Sequence, residues 1–367
     1  MTNAVSLAQQ ASTGVSQGFK NRIINGAMVI DQRNSGAAVT VNGFAVYPVD
    51  RFFGSFRTST GTATAQQVSD APTGFVNSLR MTQASVTSPA ASDIYSVIQR
   101  IEGFNTADLN WGSANAKTVT LSFWVKSSVT GTYGLALQNI NASRRAYVTT
   151  YTVSSANTWE YKTITVVGDT SGTWETTSNT GIAVLWDLGS GSDYQTPTLN
   201  SWQTANVFQA NTGTRWIATS GATWQITGVQ LEVGSSATSF ETRSIGTELN
   251  LCLRYCVLYI NGTGESIGTA SAWTTSSFWI QGRTPLPMRT APSATITTAT
   301  NAYAVYFAGS QYFNDTLEFT WTSNGNGNNQ GFLLFRGTGW SGTVSAGLAG
   351  GAAANTSAAK ITLSAEL

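Results

Sequence analysis

The residue types that most often carry out covalent catalysis are scarce in this sequence. It contains no histidine, which excludes Ser-His-Asp and Cys-His catalytic arrangements and zinc hydrolase sites. A glycosidase needs only two carboxylates. The closest acidic pairs with aromatic neighbours are Asp187 with Asp193 and Glu160 with Glu175. We predict that the protein is not an enzyme, and glycan hydrolysis by such a pair stays open as an alternative.

Aromatic side chains offer another kind of chemistry, because a ring can stack on the apolar face of a sugar. The chain has 12 tryptophans. Five of them stand in polar, turn-like surroundings and are the predicted glycan-binding candidates: Trp111, Trp174, Trp202, Trp273 and Trp340. The alternative for each is a ring that plugs the end of a sandwich or lies in a subunit interface.

Metal chemistry has weaker support in the sequence. Three acidic residues are candidate ligands for a structural Ca²⁺: Asp31, Asp50 and Glu232. No loop has the dense acidic spacing of a calcium motif, and Asp50 could instead pair with the adjacent Arg51. Cys252 and Cys256 are too few for a zinc site, so we expect small buried thiols. The sequence therefore predicts no required cofactor.

Alternating apolar residues predict that antiparallel strands position these side chains. In TVTLSFWVKSS (Thr118–Ser128) the apolar residues alternate from Val119 to Val125, and Trp124 lies on the opposite face. Similar runs are RAYVTTYTV (145–153), WEYKTITVVG (159–168) and GIAVLWDLG (181–189). Strands that recur at this spacing between turn residues are typical of sandwiches. We predict a jelly-roll domain over residues 21–243.

The pattern changes after a final strand that runs from Trp224 to Val233, with a predicted bulge at Gly228. Thr247 is the expected N-cap of a short linker helix within residues 244–256, whose apolar residues extend to Cys256. Strand signals return over residues 257–367. The predicted fold class is all-β: a jelly-roll β-sandwich plus a second C-terminal β-sandwich, joined by one short α-helix.

The composition of the chain limits the kinds of partner that it is expected to bind. The net charge is +1, only 10% of residues are charged, and there is no basic run, so we expect no nucleic-acid binding. No stretch approaches the about 20 apolar residues that span a bilayer, and we expect no membrane insertion and no signal peptide. Residues 1–20 are polar and are expected either to attach to a partner protein or to be a frayed terminus.

Several segments together resemble structural proteins of tailed phages and prophages. They are VQLEVGSSATSFETRSIGTELNLCLRYC (Val229–Cys256), NRIINGAMVIDQRNSG (Asn21–Gly36) and YPVDRFFG (Tyr47–Gly54). In that family a jelly roll like a carbohydrate-binding module ends in a VQLE strand, which a G-TEL-LC-RY helix follows. The resemblance implies a virion protein of tail-fibre type that attaches to other virion proteins through residues 1–20. It also implies a homotrimer that binds host-surface polysaccharide without covalent chemistry.

Two other functions stay open. A capsid decoration or baseplate cement protein would have the same stiff sandwiches and bind no receptor. A glycan depolymerase would hold two carboxylates about 5–10 Å apart in an open cleft. The tryptophans discriminate between the receptor-binding function and the cement function. Rings buried in cores or interfaces favour cement, and rings in an outward groove favour receptor binding.

Overall fold

A computed structural model describes residues 19–57, 60–85, 88–140, 144–307, 309–323, 331–338 and 340–367. Over these ranges the chain is all-β with one α-helix, which confirms the predicted fold class. No helix among these residues is long and apolar enough to span a bilayer. Residues 1–18, most of the predicted attachment segment, lie outside the described ranges.

The chain forms two compact units. Described residues of the first unit are 19–28, Thr40–Phe44 and Gly54–Arg243, and the second unit contains Val29–Val39, Ala45–Phe53 and Ser244–Leu367. The C-terminal part of the second unit begins at Ser244. The early segments Val29–Val39 and Ala45–Phe53, however, group with that C-terminal region rather than with the residues that follow them.

The strands before Ser244 are short and numerous. They are β1 (Val39–Val41), β2 (Val46–Val49), β3 (Phe52–Arg57), β4 (Thr62–Val68), β5 (Ser78–Ser85), β6 (Ile94–Glu102), β7 (Val119–Ser127), β8 (Gly131–Gln138), β9 (Ala146–Val153), β10 (Glu160–Val166), β11 (Thr180–Asp187), β12 (Gln195–Thr196), β13 (Trp202–Gln203), β14 (Gln209–Ala210) and β15 (Thr223–Val233). Short 3₁₀ helices lie at Gly103–Asn105, Ala107–Leu109, Ser192–Tyr194 and Trp216–Ala218. One sheet has the order β1-β4-β5-β15-β7-β10, and another contains β13-β9-β8-β11-β6-β3.

The first unit is a sandwich because each of these sheets buries one apolar face against the other. The alternating residues of β7 from Val119 to Val125 are fully buried, as predicted. Phe123 on β7 lies 5.8 Å, centroid to centroid, from Trp186 on β11 of the opposite sheet. The indole N–H of Trp224 donates to the hydroxyl of Tyr151 at 3.1 Å, so a polar atom in this core is satisfied.

The second unit also has a buried apolar core between sheets. Its later elements are helix α1 (Ile245–Leu253) and strands β16 (Cys256–Asn261), β17 (Ser266–Ala272), β18 (Ser277–Arg283), β19 (Ser293–Ile296), β20 (Tyr303–Phe307), β21 (Ser310–Asn314), β22 (Glu318–Ser323), β23 (Gly331–Thr338), β24 (Ala349–Ala354) and β25 (Lys360–Ser364). The sheets have the orders β16-β25-β19 and β21-β20-β24-β17-β18-β23-β22.

The short helix is confirmed, but its ends differ from the prediction. Ser244, not Thr247, is the N-cap, and its side chain accepts a hydrogen bond from the Thr247 N–H at 3.3 Å. The helix ends at Leu253, so Cys256 lies on β16 and does not continue the helical spacing. Cys252 and Cys256 are both free and buried, as expected, and burial raises the pKa of each thiol.

Candidate functional site

An aromatic groove lies on the outer face of the sheet that contains β7. Trp124 on β7 is directly opposite Tyr161 on β10, and cross-strand neighbours on one face are close enough to interact. Their ring centroids are 5.3 Å apart at an interplanar angle of 47°. Because the alternation of β7 buries Phe123 and Val125, it turns Trp124 outward, where it is half-buried.

The facing wall of the groove is a second aromatic pair. Phe75 and Phe240 come from different loops, and their ring centroids are 5.0 Å apart at 72°. The Phe75 N–H donates to the carbonyl oxygen of Pro72 at 3.0 Å, which closes a turn. Gly74 in that turn has a φ of +94°, which glycine adopts without strain. The turn therefore presents Phe75 at the tip of the β4–β5 connection.

The loop that carries Phe240 is anchored by buried polar side chains of β15. The Glu232 carboxylate accepts hydrogen bonds from the N–H of Thr238 at 2.8 Å and from its hydroxyl at 2.7 Å. The side-chain carbonyl of Gln230 accepts from the Glu241 N–H at 2.8 Å. These charge-assisted and amide bonds hold the loop on both sides of Phe240.

Gly228 forms the floor of the groove. It interrupts the pairing of β15 with β7, so the predicted bulge is confirmed, and its φ is +62°. A Cβ atom at this position would lie 2.6 Å from Phe75 Cζ and 3.0 Å from Trp124 Cδ1. Only glycine allows the two aromatic walls to approach this closely without strain.

The groove has a volume of about 270 Å³ and a lining that suits a neutral sugar. The lining residues are Phe75, Ser122, Trp124, Tyr161, Gly228, Thr238, Ser239 and Phe240. The rings offer apolar faces, and the hydroxyls can donate and accept hydrogen bonds. None of these described residues carries a charge at neutral pH.

Three of the predicted tryptophans meet at one end of the first unit. Val119 at the start of β7 is opposite Val166 at the end of β10, so the loops before β7 and after β10 leave the sandwich at the same end. Ring centroids of Trp111 and Trp174 are 4.7 Å apart, and both lie within 5.3 Å of Trp202. Trp111 is 8% exposed, whereas Trp174 and Trp202 are half-buried.

Backbone carbonyls hold this tryptophan cluster in place. The indole N–H groups of Trp111, Trp174 and Trp202 donate to carbonyl oxygens at 2.8, 3.2 and 2.7 Å. Arg145 forms a bidentate ion pair with Asp169 at 2.7 and 2.8 Å, which fixes the same loop. With every indole N–H satisfied internally, the cluster packs two loops against strand β13, and of the three rings Trp174 and Trp202 are the half-buried ones.

The remaining two candidate tryptophans belong to the second unit. Trp340 is 5% exposed and packs on Phe278 with ring centroids 5.1 Å apart, so it is the least exposed of the five candidates. Trp273 is 71% exposed and lies 6.2 Å, centroid to centroid, from Trp279. Of the five candidates, Trp273 is the most accessible. Sugar binding at any of them stays a prediction.

The three candidate calcium ligands do not form a metal site. Asp31 accepts hydrogen bonds from the N–H groups of Asn34 and Gly36, and Glu232 anchors the loop described above. Asp50 accepts from Gln32 and lies 3.6 Å from a guanidinium nitrogen of Arg33. Burial raises the pKa of Asp50 to about 6, against the opposing effect of Arg33. Among the described residues no group of three His, Cys, Asp or Glu side chains is placed to hold a metal.

The acidic pairs do not converge on a cleft either. Asp187 is fully buried and accepts hydrogen bonds from the N–H groups of Gly189 and Ser190, whereas Asp193 is exposed. Glu160 begins β10, and Glu175 lies in the loop beyond its far end. Since a seven-residue strand spans about 20 Å, Glu160 and Glu175 lie at opposite ends of the sandwich.

The prediction of sugar-binding residues missed the aromatic groove. The outward direction of Trp124 and the bulge at Gly228 were both visible as departures from strand alternation. Tyr161, like Trp124, is an aromatic residue on the outward face of its strand, and its side chain is 45% exposed. Phe75 and Phe240 carried no signal, because each is a single ring in a loop whose position depends on the folded chain.

No protein-family model and no curated protein sequence matches the chain. Solved structures that it resembles include a family 11 carbohydrate-binding module from Clostridium thermocellum in complex with a mixed-linked tetrasaccharide. That match has 11% identity and a TM-score of 0.28, and it covers 56% of this chain and 98% of the module. A family 4 carbohydrate-binding module matches with 14% identity, a TM-score of 0.29, and coverage of 57% and 98%.

A phage protein is also among the similar structures. The enzymatically active domain of bacteriophage CBA120 tailspike protein 4 matches with 12% identity and a TM-score of 0.30. The match covers 59% of this chain and 22% of the tailspike chain. Because these identities and TM-scores are low, the functional argument rests on the grooves of this molecule.

Proposed function

We propose that this protein is a non-catalytic virion appendage of tail-fibre type that binds host-surface polysaccharide through the aromatic groove. One observation carries the binding proposal: the pair Trp124 and Tyr161 faces the pair Phe75 and Phe240 across an uncharged groove. The virion assignment is supported by the resemblance of Val229–Cys256 and the two early segments to phage structural proteins.

Binding would use stacking and hydroxyl hydrogen bonds, and no bond in the glycan would be broken. A pyranose ring lying over the aromatic groove would place an apolar C–H face on the rings. Its hydroxyls would meet Ser122, Thr238 and Ser239 at the polar part of the lining. A single shallow groove binds weakly, so several copies on one particle would multiply the affinity through effective concentration.

The direct test is calorimetric titration of the purified chain with neutral oligosaccharides such as β-glucan and dextran fragments. Trp124→Ala removes one stacking face and should weaken binding by about 1–2 kcal/mol, or about 5–30-fold in Kd. Tyr161→Ala should weaken it to a smaller degree. Tyr306→Ala is the matched control, because it removes an exposed aromatic ring of the second unit that lines neither groove and should leave Kd unchanged. Equal affinity of the Trp124→Ala variant and the unmodified chain would refute the assignment of the groove.

Two further readouts separate the alternative functions. The isolated chain should block particle adsorption to host cells, and Trp124→Ala should lose this inhibition. An architectural protein has one observation in its favour, the exposed Trp273, which suits a subunit interface. That function predicts no inhibition by the unmodified chain and loss of particle assembly on Trp273→Ala. A depolymerase would release new reducing ends from host polysaccharide, and we expect none.

A further inference from the structure

A second groove of the first unit lies on β3, β6, β8 and β11, strands that contribute nothing to the aromatic groove. Its volume is about 160 Å³. Three arginines line it, Arg57, Arg100 and Arg144, and none of its described lining residues is acidic. In a chain with only 10% charged residues, three cations around one small groove are a strong local excess of positive charge.

Two of these arginines share one aromatic ring. The guanidinium carbon of Arg57 lies 4.2 Å from the ring centroid of Phe44, and that of Arg100 lies 5.2 Å from it. The negative face of the ring offsets part of the repulsion between the two cations. Phe44 is 46% exposed, so the ring and both cations stand at the mouth of the groove.

Arg144 approaches from the β8–β9 connection. One of its terminal nitrogens donates to the side-chain carbonyl of Asn206 at 2.8 Å. A guanidinium has five N–H donors, and this bond uses one of them while it fixes the direction of the side chain. Arg144 can therefore present further donors to a ligand at little cost in side-chain entropy.

A buried polar atom supplies an independent observation. Ser96 on β6 lines the groove and is fully buried, and its hydroxyl has no hydrogen-bond partner among the described residues. Buried hydroxyls in native proteins are nearly always satisfied, because an unmade hydrogen bond costs about 1–3 kcal/mol. A hydroxyl that donates to a ligand oxygen would remove this cost.

We propose that this groove binds the carboxylate of an acidic sugar, a uronic acid residue of a polysaccharide, as a second glycan site. Arg57, Arg100 and Arg144 supply the positive charge, and Ser96 supplies a buried hydroxyl donor. The volume is below the about 300–1,000 Å³ of pockets that enclose a drug-sized ligand, which suits one residue of a chain. The inference adds an acidic ligand to the proposed glycan binding and uses a different set of residues.

The experiment compares trigalacturonate with its methyl ester, which has the same sugars without the charges. Calorimetry on the full chain should give at least about tenfold tighter binding of the acid, because charge-assisted hydrogen bonds are lost in the ester. Arg57→Gln and Arg144→Gln should each weaken binding of the acid about fivefold or more. Arg80→Gln is the matched control: it removes one positive charge from β5, outside the groove, and should have no effect. Thermal denaturation checks that all variants are folded.

Three results would overturn the inference: equal binding of acid and ester, an Arg80→Gln loss as large as that of Arg57→Gln, or inorganic phosphate binding as tightly as trigalacturonate. The last would identify a site for a free anion rather than for a sugar. Trp124→Ala should leave trigalacturonate binding unchanged and should weaken only the neutral oligosaccharides. Failure of this inference is therefore distinguishable from failure of the aromatic groove.

Discussion

Gly228→Ala tests whether the close approach of the aromatic walls is required. At a φ of +62° an alanine adopts a left-handed conformation, which costs about 1–2 kcal/mol of folding free energy. In addition, the new Cβ would lie 2.6 Å from Phe75 Cζ. Since carbon atoms pack at about 3.5–4.0 Å, Phe75 must move by about 1 Å.

The displacement of Phe75 should open its contact with Phe240 and move one stacking face of the groove away from a bound sugar. Loss of the stacking contact between Phe75 and the sugar, worth about 0.5–1.5 kcal/mol, predicts about 2–10-fold weaker binding of a neutral oligosaccharide. Gly221→Ala is the matched control, because Gly221 has a similar φ of +66° and open space around its Cβ. Both variants should lose stability in chemical denaturation, Gly228→Ala more than the control because of the added clash with Phe75, and only Gly228→Ala should lose affinity in calorimetry. Unchanged affinity of Gly228→Ala, with its stability reduced at least as much as that of the control, would refute the role of the groove.

Three further variants test the polar interior. Glu366→Ala removes the carboxylate that pairs with the buried Arg51 and with Arg33 and should lower the stability of the second unit by about 3–5 kcal/mol in denaturant unfolding. Burial raises the pKa of Asp187 to about 7, above its unfolded value of about 3.9, so the folded state binds the proton more tightly. Stability should then fall as pH rises from about 4 to about 7, and Asp187→Asn should reduce this slope. Asp169→Asn removes the ion pair with Arg145 and should increase hydrogen exchange in the loop after β10.

Each of these expectations has an opposite outcome that would contradict it. Glu366→Ala without a loss of stability would show that the buried charges find other partners. An unchanged pH slope in Asp187→Asn would assign the slope to another carboxyl, such as Asp50, whose pKa is also raised by burial. Unaltered exchange after Asp169→Asn would show that the tryptophan cluster alone holds the loop.

Local sequence pattern was sufficient to predict five strands of the first unit, β7, β9, β10, β11 and β15. The alternation from Val119 to Val125 is an instance, because the period of two is a property of the strand backbone itself. The bulge at Gly228 was predictable for the same reason, as a single slip in alternation. The sequence of β24, AGGAAA, gives no alternating signal because all of its residues are small. Gly350 is needed there because a Cβ would lie 1.9 Å from the carbonyl oxygen of Tyr306.

The ends of the helix, and the unit to which each early segment belongs, were less predictable. Ser244 and Thr247 are both good N-cap residues, and only the folded chain shows which one accepts the capping hydrogen bond. The apolar residue at position 256 fits both a helix and a strand, so Cys256 was assigned to the wrong element. The grouping of Val29–Val39 and Ala45–Phe53 with the second unit depends on contacts with residues more than 200 positions later.

The sequence by itself determined the all-β class, the single helix, the scarcity of charge and the outward direction of Trp124. Each of these follows from composition or from a period of two or 3.6 residues, which neighbouring residues define. The tertiary structure decided which rings meet. Phe75 and Phe240 face Trp124 because sheet order and loop anchors bring distant segments together, and the same folding buried Trp340 and gathered three arginines around one groove.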